Sequence, residues 1–384
     1  MGVTIGIDAS RNRSGGAIAH LKGILEEGDP PSIGISKVHV WGYRSLIEKT
    51  PDRPWLIKHL PQDLDNGLLA QVWWQYRYLP KEAVKFKCDL LFNTDAGSVC
   101  PFNPSVTLSQ DMLSYEPGEM IRFGILSKAR IRLEMLKIIQ NNSFKRSKGV
   151  IFLTEHASKT IQESCGELKS YKIIPHGVGN MFRLPLIKIN EDLSEKNEIR
   201  LLYVSNAQLY KHQWNVVRAA GLLRAKGFRV NLLLVGGGKG VAQTRLEAEI
   251  KRTDPEGTFV KQKGFVSNEC IVKYLAESDL FIFASSCENM PVTLLEAMAC
   301  GLPIACSSRG PMPEVLQDAG VYFDPEKTDQ IANAIETLLV NKDLCNKVMQ
   351  KAKALSREYT WKRCADETFK YLWQKAAIEQ HGKD

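Results

Sequence analysis

Apolar runs broken by glycine and polar turns recur along this chain, and their lengths and periods separate strands from helices. Leu280–Phe283 is an unbroken apolar run ahead of a polar turn, which predicts a strand buried on both faces inside a parallel sheet. The loop after it holds Glu288 and Asn289, Pro291 stands at a first helical position, and Gly301 and Pro303 end the helix. Strand, loop, helix and strand in that order put Glu288 at the carboxyl end of a strand and aim a helix N-terminus at the same place, where an anion is favoured. Glu296 lies eight residues beyond Glu288, a little more than one turn into the helix.

The same pattern organises the rest. Val3, Ile5 and Ile7 begin a strand that ends at Asp8, and Ser14-Gly15-Gly16 turns into a helix. Further strands are predicted at KVHVWGY, 90–94 and 105–112, with 149–154 and 171–178 closing a first α/β domain. Polar, aperiodic 188–198 reads as a linker. A second set then opens with IRLLYVS, VNLLLVGGG and GFVS, helices at 213–225 and 268–276, and a last strand at Val321–Phe323. From Glu326 the chain reads as helical to the end, with Trp361, Phe369 and Leu372 docking a terminal helix. Strands alternating with helices call for an α/β protein with two doubly wound parallel sheets.

Composition agrees with a globular chain of two domains: 384 residues, 44% hydrophobic and 24% charged, which excludes large-scale disorder. A formal net charge of +8 and a pI near 8.9 attract anions such as nucleotide diphosphates or acidic headgroups. No nucleic-acid motif is present, so nucleic acid is not an expected partner. The nine cysteines include no Cys-x-x-Cys pair and read as free thiols of a reducing compartment. The start of the chain lacks a signal-peptide pattern and no apolar run approaches the ~18–20 residues of a membrane span; a cytoplasmic protein is expected.

One segment changes that last picture. Residues 121–148 read as a helix with Ile125, Ala129, Leu133 and Leu136 on one face. Its cations Arg122, Lys128, Arg130, Arg132, Lys137, Lys145, Arg146 and Lys148 face only Glu134. A solvated face explains such a run, and so does an anionic membrane, where each cation adds on the order of 1 kcal/mol.

By itself Glu-x7-Glu is a bare spacing. The whole stretch SCENMPVTLLEAMACGLPIACSSRGPMPEVL, however, resembles the donor-site signature of family 4 retaining glycosyltransferases of the GT-B fold. The resemblance covers the first Glu, the following Pro, the second Glu in Glu-Ala-Met-Ala-x-Gly-x-Pro, and the later Gly-x-x-Pro-Glu. It implies two Rossmann-like domains facing a central cleft. An acceptor domain would span 1–180 with a C-terminal helix, 362–384, crossing back to it, and a donor domain would span 181–361.

The same resemblance implies roles. Glu288 would hold hydroxyls of the transferred sugar while the backbone N–H groups of Asn289 and Met290 approach the diphosphate, and Glu296 would accept from the ribose. Lys211 matches a cation that clamps the diphosphate, but Asn206 stands where the family carries its second cation, an Arg. Arg11, Arg13 or Arg309 would substitute, or Lys211 would act with helix amides alone. Gly236, Gly237 and Gly238 would keep side chains out of the base pocket, or only turn a strand into a helix. Gly16 belongs to a Gly-Gly loop at the acceptor edge.

Gln110-Asp111 replaces the His-Asp pair of many relatives. Glutamine cannot take a proton at neutral pH, so weight shifts to Asp111, which is also read as a turn cap. His176 replaces Asn in a Pro-Asn-Gly hinge and is read as shaping a turn. No Asp-x-Asp pair sits where a metal-held diphosphate would need one, so metal-free catalysis without a cofactor beyond the nucleotide sugar is expected.

The activity expected is retaining, front-face transfer of a hexose, mannose first, from a nucleotide-diphosphate sugar to a glycan or polyprenyl-linked acceptor. The setting would be surface-polysaccharide biosynthesis, peripheral to the inner face of a membrane. Two other readings are a nucleotide-sugar epimerase of the same fold and a non-catalytic sugar-nucleotide-binding protein.

Overall fold

The computed structural model describes residues 2–13, 15–124, 126–183 and 192–381. The chain separates into two compact units, 1–177 together with 360–384, and 178–359.

The first unit is built on seven strands: β1 (Val3–Asp8), β2 (Ile35–Trp41), β3 (Leu56–His59), β4 (Leu90–Asn93), β5 (Ser105–Leu108), β6 (Gly149–Phe152) and β7 (Tyr171–Ile173), in the order β3-β2-β1-β4-β5-β6-β7. Every neighbouring pair is parallel. β3 was not legible in the pattern, since Lys58 and His59 interrupt the apolar run; it is an edge strand that needs only one neighbour, pairing Leu56 with Val38. The order reverses direction between β1 and β4. Right-handed crossovers therefore place Gly15–Glu27 on one face and Leu68–Arg77, Lys128–Arg146 and Glu155–Cys165 on the other.

Helix Trp361–His381 packs on Gly15–Glu27. A Cβ at Gly23 would lie 2.3 Å from the Trp361 ring, so glycine there is what lets the indole seat. Phe369 and Leu372 are buried, as expected. His176 sits in this seam, its ring centroid 4.9 Å from His20 and 5.6 Å from Trp361. Burial keeps both imidazoles neutral, pushing His20 down to about 3 and His176 well below its ordinary value. His176 thus supports the docked helix.

The second unit carries six parallel strands: β8 (Ile199–Val204), β9 (Val230–Val235), β10 (Val260–Lys263), β11 (Leu280–Phe283), β12 (Ile304–Ser307) and β13 (Val321–Phe323), ordered β10-β9-β8-β11-β12-β13. β11 is interior and wholly buried, as its apolar run predicts. The helix after it, Val292–Cys300, is closed by Gly301 in the left-handed region at φ 73°.

Several expectations shift. Pro291 is the N-cap rather than the first helical residue, with its carbonyl accepting from Leu294 and Leu295. GFVS is the loop that leaves β10, not a strand. The C-terminal helical stretch is three helices, Thr328–Val340, Lys342–Ser356 and Trp361–His381, broken at Asn341, whose side chain caps the second by accepting from Leu344 N, and again at 357–360.

The stretch 121–148 is not one helix. A 3-10 turn, Glu119–Phe123, stops at Gly124 (φ 84°), and the α-helix starts at Lys128 with the Ser127 side chain accepting from Arg130 N. Its buried residues are Gln140, Ser143 and Phe144, while Ala129 is exposed and Leu133 and Leu136 are half-buried. Ser14, Ile125 and linker residues 188–191 lie outside the described residues; Leu193–Glu195 forms a short 3-10 turn. All nine cysteines are free thiols. Among the described residues no helix is long and apolar enough to cross a membrane.

Candidate active site

In an open parallel sheet the two loops flanking the reversal of strand order diverge and leave a crevice at the carboxyl ends. In the second unit that reversal falls between β8 and β11, which pair directly, Leu201 with Leu280. Lys211 follows β8 and Glu288 follows β11, so the fold sets them side by side.

Lys211 lies in the 3-10 turn Leu209–Lys211 rather than at the start of the following helix. Its Nζ donates to Glu288 Oε1, and its ammonium also lies 5.2 Å from the Tyr210 ring centroid and 5.7 Å from that of Phe283. Both side chains are mostly buried. Further bonds fix the turn: Ser286 N donates to the Tyr210 carbonyl at 2.8 Å and His212 Nε2 lies 2.8 Å from Ser286 Oγ, both tying it to the β11 loop, while from β8 Tyr203 OH donates to the Lys211 carbonyl at 2.8 Å.

His212 was not singled out in the sequence. It is buried, and its φ of 47° puts a non-glycine residue in the left-handed region between the Lys211 turn and helix Gln213–Ala225. Such a conformation persists only where the surroundings over-determine it. Here the bond to Ser286 does so.

Glu296 is 8% exposed, and its Oε2 has no hydrogen-bond partner among the described residues. Burial pushes its carboxyl up to about 8, which favours the neutral acid at pH 7. An unsatisfied buried carboxyl marks a place where an incoming hydroxyl replaces lost hydration. Asn289 and Met290 are also buried, in the loop that carries Glu288. Asn206 follows β8 half-buried, its carbonyl accepting from Ser205 Oγ at 2.9 Å.

Gly236-Gly237-Gly238 follows β9 and divides by role. Gly236 has φ 114° and a Cβ there would come 2.4 Å from the Ser205 carbonyl oxygen; at Gly238 it would come 2.6 Å from Ala207 Cβ. At Gly237 the nearest atom to a Cβ would be Gly264 Cα, 3.6 Å away, an ordinary contact. Backbone packing accounts for the outer two glycines, whereas a Cβ at Gly237 would meet no clash.

The cations considered as substitutes for the missing Arg are engaged. Arg309 pairs with Asp324 at 3.2 Å. Arg11 pairs with Asp95 at 2.9 Å, and Arg13 donates to the Leu64 carbonyl and to Gln71.

Gly16 and Asp111 belong to the first unit. Gly16 is the second residue of helix Gly15–Glu27. Asp111 Oδ1 accepts from Leu113 N at 3.0 Å, which is the turn-capping role; burial, and after it the charge of Asp95, raise its pKa. Gln110 donates to the Thr94 carbonyl at 2.8 Å. At that sheet's own reversal, the Arg11–Asp95 pair joins the loop after β1 to the loop after β4. The sequence reading passed over Asp8 as a strand end. It is a hub, accepting from Ser10 N and Oγ, Gln75 Nε2 and Ser98 Oγ.

Comparison with known proteins places this geometry. Residues 187–355 match the model of Glycosyl transferases group 1. Among similar relatives is the O-antigen chain mannosyltransferase B of Escherichia coli, 27% identical over 167 residues, 44% of each chain; the chain thus spans less than half the length of that curated relative. Among solved structures, sucrose-phosphate synthase of Thermosynechococcus elongatus superposes with a TM-score of 0.77 at 16% identity, covering 98% of this chain and 100% of that one. Anabaena HepE in complex with UDP-glucose gives 0.73 at 19%, covering 96% and 99%. At these identities the structures establish the fold, which is GT-B: two Rossmann-like parallel-sheet domains.

Proposed function

Taking residues 187–355 as a group 1 glycosyltransferase domain within a GT-B fold, we propose that this protein transfers a hexose from a nucleotide-diphosphate sugar to a glycan or polyprenyl-linked glycan in surface-polysaccharide biosynthesis. The Escherichia coli relative is a mannosyltransferase, which favours mannose. The observation that carries the reading is the Lys211–Glu288 pair at the strand-order reversal, followed in the next helix by the neutral, unsatisfied carboxyl of Glu296.

The leaving nucleoside diphosphate accumulates negative charge, and a fixed ammonium with helix N-terminal amides offsets it. Lys211 and the N–H groups of Asn289 and Met290 take that role, with no second side-chain cation at Asn206. Glu288 orients the sugar through its hydroxyls while holding Lys211. Glu296 receives the ribose, and Gly237 leaves room for the base. The C1–O bond to phosphate breaks as the acceptor oxygen attacks from the same face, and the acceptor proton passes to the departing phosphate oxygen, so configuration is retained without a metal. Asp111 and the Gly15-Gly16 turn serve the acceptor. The basic helix Lys128–Arg146 holds the protein at an anionic membrane surface, where a polyprenyl-linked acceptor resides.

The test is a matrix of nucleotide sugars against lipid-linked acceptors, read as nucleoside diphosphate release. Release that requires acceptor and persists in EDTA supports the reading. Release or epimerisation without acceptor favours an epimerase, dependence on metal removes the metal-free mechanism, and tight nucleotide-sugar binding with no turnover favours a binding protein.

A further inference from the structure

The helix Leu68–Arg77 buries two glutamines and leaves an apolar stripe outside. Its glutamines face the core: Gln71 Nε2 donates to the Ser10 carbonyl at 2.8 Å and Gln75 Nε2 to Asp8 Oδ2 at 2.6 Å, both side chains buried. Trp74 is buried beside them, but the opposite side faces out, Leu69 85% exposed and Trp73 and Tyr76 each 57%. These stand at i, i+4 and i+7, one stripe on the side opposite the glutamines. Leu68, Tyr78 and Val84 are exposed beside them. Rotating the helix to bury Trp73 would strip Asp8 and the Ser10 carbonyl of their donors inside the protein, which is costly. The fold commits this stripe to the outside, and a contiguous apolar stripe on the outside is a contact surface.

Charge selects what covers it. After Gly67 the exposed ionic side chains are all cations, Arg77, Lys81, Lys85 and Lys87, because the one acid, Glu82, is turned in to accept from Trp41 Nε1 at 3.0 Å. Asp63 and Asp65 lie earlier, on the turn Gln62–Asp65. A second copy meeting this patch by two-fold symmetry would oppose like charges. A glycan platform needs polar partners beside its aromatic rings; the side chains next to these are Leu68, Val84 and cations.

A second helix repeats the motif. Lys128–Arg146 exposes Ile131, Met135 and Ile138, again i, i+4 and i+7, beside exposed Lys128 and Arg132. Right-handed crossovers put both helices on one face of the first sheet. Apolar anchors with Trp and Tyr, rimmed by Lys and Arg, fit the headgroup layer of an anionic bilayer.

We infer that Leu69, Trp73 and Tyr76 enter the interfacial layer of an anionic membrane, making Leu68–Arg77 an apolar anchor on the same face of the sheet as the basic helix Lys128–Arg146. The biological use of this anchor rests on the lipid-linked acceptor proposed above; the partition itself does not.

The full chain is floated with phosphatidylcholine vesicles with and without phosphatidylglycerol, alongside the triple variant Leu69→Gln/Trp73→Gln/Tyr76→Gln. The wild type floats with the anionic vesicles, and the triple variant partitions about tenfold less or weaker still. Brominated lipids quench wild-type tryptophan emission on binding, and Trp73→Phe, which keeps the apolar surface, loses most of that quenching while still floating. Equal partition of the triple variant, no quenching at Trp73, or no flotation of the wild type overturns the inference. So does a lipid-free dimer that the triple variant dissolves, or a soluble glycan that protects Trp73 with no effect of lipid. Turnover with a water-soluble acceptor is measured in parallel and stays as in the wild type, so failure of the anchor and failure of the transferase reading give different results.

Discussion

Lys211 and Glu288, 77 residues apart in the chain, form a hydrogen-bonded ion pair that joins the loops on either side of the strand-order reversal in the second unit. Each is the other's counter-charge in a mostly buried setting. Under the proposed function, a sugar diphosphate entering there would meet an ammonium and a carboxylate already oriented, which lowers the reorganisation needed as charge moves to the phosphate.

Replacing Glu288 with Gln keeps the shape and removes the charge. Initial rates should fall ~100-fold or more, with circular dichroism unchanged. Lys211→Met should lower stability by about 2 kcal/mol, because it strands the Glu288 carboxylate, and adding Glu288→Gln should restore much of that loss. Wild-type turnover in Glu288→Gln would remove Glu288 from the mechanism.

His212 joins the Lys211 turn to the loop that carries Glu288 through Ser286. Its left-handed backbone and its bond to Ser286 are one device, so His212→Ala should cost ~1–2 kcal/mol and lower kcat with little change in acceptor KM. Ser286→Ala should behave alike, and the double variant should be no worse than either single one. His212→Asn tolerates the backbone and should recover part of the rate. Additive losses would mean that the bond carries no positioning role.

Glu296 supplies a pH signature. Its carboxyl titrates near 8 when folded against an ordinary 4.5. Below about 4.5 both folded and unfolded chains hold the proton. As pH rises from there to about 8 only the unfolded chain loses it, so stability falls across that window, and beyond 8 the loss is complete. Between pH 5 and 8 the wild type should lose on the order of 3 kcal/mol relative to Glu296→Gln, measured by denaturant melts. A ribose that donates to the ionised carboxylate should also release a proton on nucleotide binding at pH 7, seen by calorimetry in buffers of different ionisation heat. Parallel pH profiles for the two proteins would show that Glu296 does not titrate in this way.

Elements carried by long periodic or unbroken apolar runs were legible: β1, β8, β9, β11 and the helix Gln213–Ala225 stand where the pattern puts them. β3 was not, because an edge strand tolerates Lys58 and His59. Nor was the break at Gly124, since the cations on both sides of it read as one amphipathic run. For the site, Lys211 and Glu288 were legible as a motif, and the motif locates each on its own loop. Their mutual bond arises from strand pairing between β8 and β11, which no local stretch encodes. His212 and Asp8 were invisible for a related reason: each acts through partners distant in sequence, Ser286 for one, Gln75 and Ser98 for the other. The exposed apolar stripe of Leu68–Arg77 was hidden as well, because a periodic pattern says which residues share a face and not which face turns inward.

Asp111 allows a test that separates turn chemistry from proton chemistry. The Oδ1 that accepts from Leu113 N is present in asparagine too, so Asp111→Asn keeps the cap and removes the ionisable group, while Gln140, whose amide donates to Asp111, has to turn over to accept from the new amide. Burial and the neighbouring Asp95 raise the pKa of Asp111, which would suit it to take the acceptor proton in place of the leaving phosphate. If it does so, Asp111→Asn should lose roughly 10- to 100-fold in kcat, with melting temperature held and the acid limb of the pH–rate profile flattened. Asp111→Ala should fall further and also melt lower, having lost the cap. An Asn variant with wild-type kcat and an unchanged acid limb would confine Asp111 to the turn, and the acceptor proton would then pass to the leaving phosphate without help from this side chain.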